Sequence, residues 1–396
     1  MKMIDDLAPG RFDVVIVGGG VIGTVTAYWL AKAGFKVVVV ERQDVAMGTS
    51  SAAAAAALLQ TKTSPIKLAL ANESLQLLDQ LHAELDGGFE YEHTGSLLAA
   101  TSEEEMQLIR EMNEKLHGLG LEVELLDGTE ARQYMPILGD CIIGGSYSPK
   151  DAQINPLEFV VACEKASKRL GVIFSTYNEV IGVDVHGDKI TAVQTKKGRI
   201  LTDTVINAAG VWATRVAEMA GLSLAISPLK GELLVTERMP ACMKGTLIAA
   251  SYLLSKTGAE GKSDQRTVKR TVGITLVQLK HGNFIVGSTR EQSGFERGNS
   301  MEGICELSYQ LLKLTPSLGN LHLLRAYAGL RPLSKDGFPI IGRERSLPGF
   351  IQAVGFGGDG LAMSAIAART IAQILTNSNG QYYLELFDPG RFSIQE

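Results

Sequence analysis

The sequence predicts an α/β protein built round a parallel sheet, with antiparallel strands elsewhere in the chain. Three observations carry that expectation. Short runs of Val and Ile read as strands buried on both faces. Glycines stand at fixed spacing between such a run and a helix, and other segments alternate apolar with polar residues. At 396 residues the chain exceeds what one core usually holds, so two domains, or one domain with a large insertion, are expected.

The first element is the run Asp13 to Val17, β-branched and almost continuously apolar. Gly18, Gly20 and Gly23 follow at G-x-G-x-x-G spacing. Thr24 to Ala33 then reads as a helix closed by Gly34, and Phe35 to Val40 as a second buried strand. This is a complete βαβ unit of the Rossmann type. Gly18 makes the tight turn, Gly20 lets backbone approach a pyrophosphate, and Gly23 lets helix pack close on strand. The first helical turn, with Val21 and Ile22, brings partial positive charge to the phosphates. Glu41 ends the second strand, where a carboxylate accepts hydrogen bonds from ribose hydroxyls and disfavours a 2′-phosphate; Arg42 follows it. The motif by itself does not separate FAD from NAD.

Small residues continue from Met47 through Thr49, Ser50 and Ser51 to Ala57, giving either a helix start capped by a hydroxyl or a close approach to a bulky ligand. Lys189 to Lys197 and Ile274 to Ser288 alternate like half-solvated antiparallel strands. Between these, Ile200 to Ala209 reads as one more buried strand, ending in Asn207-Ala-Ala-Gly-Val-Trp212. Its small residues Ala209 and Gly210, with Trp212, lie where an open sheet admits a ligand. Gly258 to Arg270 reads as a mobile loop. A strand at Phe350 to Val354 precedes Gly355-Phe-Gly-Gly-Asp-Gly360, where Gly357, Gly358, Asp359, Gly360 and Leu361 open a helix expected over Leu361 to Leu375. Amides and a helix dipole there would face an anion or an electron-rich ring edge.

Composition excludes several classes of function. A net charge of -5 offers no basic footprint for nucleic acid. Cys141, Cys163, Cys242 and Cys305 are far apart with no CxxC pair, arguing against a zinc site, a cluster or a disulfide framework; they read as buried small hydrophobes. The polar start of the chain has no apolar stretch of signal-peptide length, and no run approaches the roughly 20 residues that span a bilayer. A cytoplasmic protein with no metal is the expectation.

Five ordered stretches, VVIVGGGVIGTVTAYWLAKAGFKVVVVER from Val14, YSPKDAQINPLEFV from Tyr147, VINAAGVWA from Val205, AGLRPLSKDGFPIIG from Ala328 and GFGGDGLAMSA from Gly355, resemble the D-amino-acid oxidase superfamily of FAD enzymes. The resemblance covers nearly the whole chain. It is strongest to the branch of glycine oxidase, sarcosine oxidase, and the β subunits of sarcosine oxidase and of D-hydroxyproline or opine dehydrogenases. GNFIVGSTREQSGFE from Gly282 looks more like the β-subunit branch.

The resemblance implies a discontinuous FAD-binding domain over 1–80, 150–225 and 325–396, and a mixed, largely antiparallel substrate domain over 81–149 and 226–324. It implies that Arg331, in Gly329-Leu-Arg-Pro332, clamps a substrate carboxylate. Lys335 is a candidate cation for the reduced flavin, and Tyr252 a candidate carboxylate partner or pocket wall. FAD is expected to be non-covalent, because no His follows Ser50-Ser51 and no Cys sits near Arg331. Asp359 stands where relatives often carry His.

The implied reaction is oxidation of an amino-acid C–N bond to an imine, for a substrate such as sarcosine, D-proline, hydroxyproline or an opine. The chain would be one subunit of a complex that passes electrons to a partner, through which it could also reach a membrane surface. The alternatives are an autonomous oxidase that releases hydrogen peroxide and a non-catalytic flavoprotein assembly subunit.

Overall fold

The computed structural model describes residues 10–48, 56–62, 64–251, 253, 270–378 and 384–392. Its first layer is a six-stranded sheet in the order Ile340–Arg343, Phe350–Val354, Val205–Asn207, Val14–Val17, Val37–Val40, Ile173–Ser175. The first of these runs antiparallel to its neighbour, and the other pairings are parallel. Residue parity explains why the Val runs carry no polar face. Val14, Ile16, Val37 and Val39 join a core with the helices Val21–Lys32, Pro156–Arg169 and Ser364–Thr376. Val15, Val17, Val38 and Val40 face the opposite way, onto Val180, Val183, Ile190, Val193 and Ile200 of a three-stranded antiparallel sheet. A strand covered on both faces must be apolar at every position.

The second layer is an eight-stranded mixed sheet in the order Leu323–Ser334, Ile226–Arg238, Asn283–Glu291, Arg270–Gln278, Thr246–Ala249, Ser96–Ala100, Gly144–Ser148, Glu124–Asp127. Most neighbours are antiparallel; Thr246–Ala249 runs parallel to Ser96–Ala100. The α/β class, with a mainly parallel sheet and a mixed, largely antiparallel one, is therefore as expected. The boundary expected at 325 falls inside strand Leu323–Ser334, whose pairing with Ile226–Arg238 makes it part of the second sheet.

Several elements differ from the sequence reading. The first helix starts at Val21 rather than Thr24, with Gly20 as its N-cap. The stretch 200–209 is not one strand. Gly198–Leu201 pairs antiparallel with Lys189–Thr195, and Val205–Asn207 enters the parallel sheet. Between them Thr202 N still donates to Thr191 O and Thr204 O already accepts from Val15 N, while the Thr202 hydroxyl bridges the change of sheet, donating to Thr204 O at 3.0 Å and accepting from Thr204 N at 3.1 Å.

The segment 274–288 is a hairpin of Arg270–Gln278 and Asn283–Glu291, buried on most positions because helix Met301–Leu314 packs over it. The helix expected at Leu361 begins at Ser364, after a turn. Of the cysteines, Cys163 is buried, Cys141 and Cys242 are partly exposed, and Cys305 is exposed on the outer side of Met301–Leu314; all are free thiols. Residues 258–269 of the expected loop lie outside the described residues. Among the described residues no helix is long and apolar enough to cross a membrane.

Candidate active site

A cavity of about 600 Å³ opens at the carboxyl ends of the parallel strands, where such sheets admit ligands. Its floor is the fingerprint. Gly18 has φ +114°, and a Cβ on it would lie 2.5 Å from Ala208 O; one on Gly23 would lie 1.9 Å from Gly18 O. Only glycine fits either position. Gly18, Gly20, Val21 and Ile22 line the cavity, so the positive end of the helix dipole faces it. Gly23 lies beneath and lets helix and strand meet.

Glu41 stands at the end of Val37–Val40, and its carboxylate accepts from Gly19 N and from Gln43 N, both at 2.8 Å. Two backbone donors fix the side chain in the cavity wall while leaving lone pairs for further donors. Arg42 stacks on Trp212, its Cζ 3.6 Å from the ring centroid, and Trp212 stacks in turn on Phe295. Burial holds the Arg42 guanidinium below its ordinary range, and Glu41 and Glu179 oppose that shift. Trp212, Ala209 and Gly210 are placed by Asn207. Its amide donates to Ala213 O at 2.9 Å and to Gln352 Oε1 at 3.0 Å, and its Oδ1 accepts from Ala209 N at 3.3 Å.

The opposite end of the cavity holds the second glycine loop and Arg331. Gly357, Gly358, Gly360 and Leu361 line it, Gly357 at φ +55°. Asp359 turns its carboxylate to Lys62 Nζ, 2.5 Å away. Arg331 lies on strand Leu323–Ser334, with Nη1 donating to Thr289 O at 3.3 Å and Nη2 donating to the Ser288 hydroxyl. Its guanidinium rests over Gly231 of the neighbouring strand, where an added Cβ would come within 2.5 Å of Nη1. The polar end of Arg331 thus lies flat along a wall made by three strands.

Lys335 is exposed in the turn after this strand and is not part of the cavity lining, which gives it the place of a solvated lysine. Thr49, Ser50, Ser51 and Tyr252 lie outside the described residues. Sequence reasoning missed Asn178, Glu179, Val180, Arg215, Glu218, Met219 and Gly231, all lining the cavity, and Lys62 behind it. The only signal for the first three was their position just after the buried run Ile173–Ser175.

The glycine cradle, the helix amides and the anchored Glu41 fit a dinucleotide pyrophosphate and ribose, and a parallel sheet joined to a mixed sheet across this cavity defines a nucleotide-cofactor oxidoreductase. Residues 13–374 match the model of the DAO family, described as FAD dependent oxidoreductase, and the chain belongs to that family. It is an FAD-dependent enzyme of the amino-acid oxidase and dehydrogenase type. The hydrogen cyanide synthase subunit HcnC of Pseudomonas aeruginosa is 28% identical, over 90% of each chain. The glycine oxidase of Geobacillus kaustophilus is 27% identical over 95% of this chain and 96% of its own. Among solved structures, an L-proline dehydrogenase from P. horikoshii superposes with a TM-score of 0.86 at 27% identity, covering 98% of this chain and 99% of that one.

Proposed function

We propose that the chain oxidises the C–N bond of an amino acid, N-substituted or D-configured, with non-covalently held FAD, as the catalytic subunit of a heteromeric dehydrogenase. The observation that carries this reading is the position of Arg331, in one cavity with both glycine elements and flat over Gly231. FAD, when bound, supplies a two-electron acceptor for the hydride of the substrate α C–H. Gly18, Gly20 and the Val21–Lys32 helix terminus hold its pyrophosphate, and Glu41 its ribose.

Arg331 receives the substrate carboxylate through paired, planar donors, which orients the α carbon. Ser288 and Thr289 steady the guanidinium from behind. A substrate bound with its amine unprotonated needs no strong base from the protein, and water hydrolyses the imine product. Tyr252 belongs to the proposal as a second partner for the carboxylate.

The names of the relatives support an amino-acid substrate: glycine for one and L-proline for another. HcnC is named as a subunit of a synthase, which supports the heteromeric reading. Similarity to glycine oxidase over nearly the whole chain favours a second reading, an autonomous oxidase.

The deciding experiment mixes the purified protein anaerobically with glycine, sarcosine, D-proline, hydroxyproline and an opine. One of them should bleach the flavin; if none does, the catalytic reading gives way to that of an assembly subunit. Oxygen uptake by the chain alone would then select the oxidase. Acid precipitation should leave FAD in the supernatant, and flavin held in the pellet would overturn the non-covalent assignment.

A further inference from the structure

The loop 355–361 has one charged side chain, Asp359, set among glycines. The Lys62 ammonium that meets it comes from 297 residues away in the chain, and the two side chains are only 4% and 14% exposed. Each partner stands on a tight turn. Lys62 N donates to Leu59 O at 2.9 Å, and Leu59 N donates to the buried Asp151 carboxylate at 2.8 Å. Asp359 N donates to Phe356 O and Met363 N to Asp359 O, both at 2.9 Å. A buried ion pair holds two segments together no better than a well-packed apolar pair, because desolvation offsets the attraction. Cohesion is therefore a poor reason for it.

We propose that Lys62 is a positioning residue that cancels the charge of Asp359 at the cofactor loop, so that the loop amides keep a favourable potential toward a ring that gains electrons. The inference rests on the FAD reading. Remove Lys62, and a poorly solvated carboxylate beside the loop opposes negative charge in the cavity. Remove the charge of Asp359, and the ammonium favours it. The two changes act with opposite sign on one quantity, the ratio of affinities for reduced and oxidised flavin. A purely structural clasp would move both variants the same way.

The test compares Lys62→Met, Asp359→Asn and the double variant with the parent for FAD content, melting temperature and midpoint potential of the bound flavin. Lys62→Met should lower the affinity ratio about tenfold, a fall of about 30 mV for a two-electron couple, and Asp359→Asn should raise it by a similar factor. The double variant should return close to the parent. Should Lys62→Met fail to hold FAD, the sign of the shift in near-isosteric Asp359→Asn decides alone. Shifts in one direction, or unchanged potentials in FAD-loaded variants, overturn the inference. A parent chain that takes up no FAD overturns the flavin reading itself.

Discussion

Gly231→Ala places one methyl group beneath Arg331 and tests the carboxylate clamp without removing any charge. The ideal Cβ would lie 2.5 Å from Nη1, 2.6 Å from Nη2 and 2.8 Å from Cζ. Carbon contacts relax only near about 3.5 Å, so the guanidinium must retreat by about 1 Å. Gly231 lies outside the left-handed region, so Ala fits its backbone, and the loss of unfolded-state freedom contributes about 0.4–1 kcal/mol in favour of folding. The atoms displaced are the end of a flexible side chain, so the fold should barely change. A reacting group misplaced by about 1 Å costs on the order of 10²-fold in rate.

The assay is anaerobic flavin reduction as a function of substrate concentration, in protein whose FAD content and melting temperature match the parent. Weaker substrate binding together with a reduction rate down about 10²-fold is the expected result. Parent-like rate and affinity in a fully loaded variant would refute the argument that Arg331 orients the substrate from this wall.

Three further outcomes follow from the same geometry. Arg331→Lys should keep FAD and lose about 10²-fold in turnover, since lysine retains the charge but not the fork; lowered flavin content and melting temperature without a specific kinetic defect would make Arg331 a structural residue instead. Glu41→Ala should weaken FAD binding about 10²-fold or more in equilibrium titration, because two hydrogen bonds to a charged acceptor are worth about 1.5–3 kcal/mol each; unchanged affinity would remove the ribose role. Asp151 is fully buried, and burial pushes its carboxyl up to about 6, against the hydrogen bonds from Ser96, Leu59 and Ser148. The native state therefore keeps a proton that the unfolded chain has lost near pH 4, and this group's contribution to stability falls as pH rises from about 4 to 6. Asp151→Asn does not titrate there, so its stability relative to the parent should rise by about 2 kcal/mol between pH 4 and pH 7 in paired urea melts, and a difference independent of pH would contradict the assignment.

The parts of this protein that were legible in its sequence are those in which neighbouring residues dictate one backbone. Gly18 and Gly23 are unavoidable, because a Cβ on either collides with main chain a few residues or one strand away. The Val runs could belong only to strands covered on both faces, and Glu41 follows from the length of the unit itself. Boundaries were less legible, since they turned on which distant strands pair: what reads as one strand from Ile200 to Ala209 divides because Gly198–Leu201 pairs with Lys189–Thr195 and Val205–Asn207 with Val14–Val17.

What only the tertiary structure decided is everything that depends on which distant segments meet. Asn178 to Val180 line the cavity because Ile173–Ser175 pairs with Val37–Val40, a parallel neighbour that no local pattern names. Gly231 matters because strand register sets it against Gly329 and beneath Arg331, and a lone glycine in a strand announces no such partner. Lys62 reads in sequence as an ordinary surface lysine. It becomes a buried counter-charge only when the two ends of the chain close over the same cavity, because burial and pairing are properties of surroundings assembled from residues far apart in sequence.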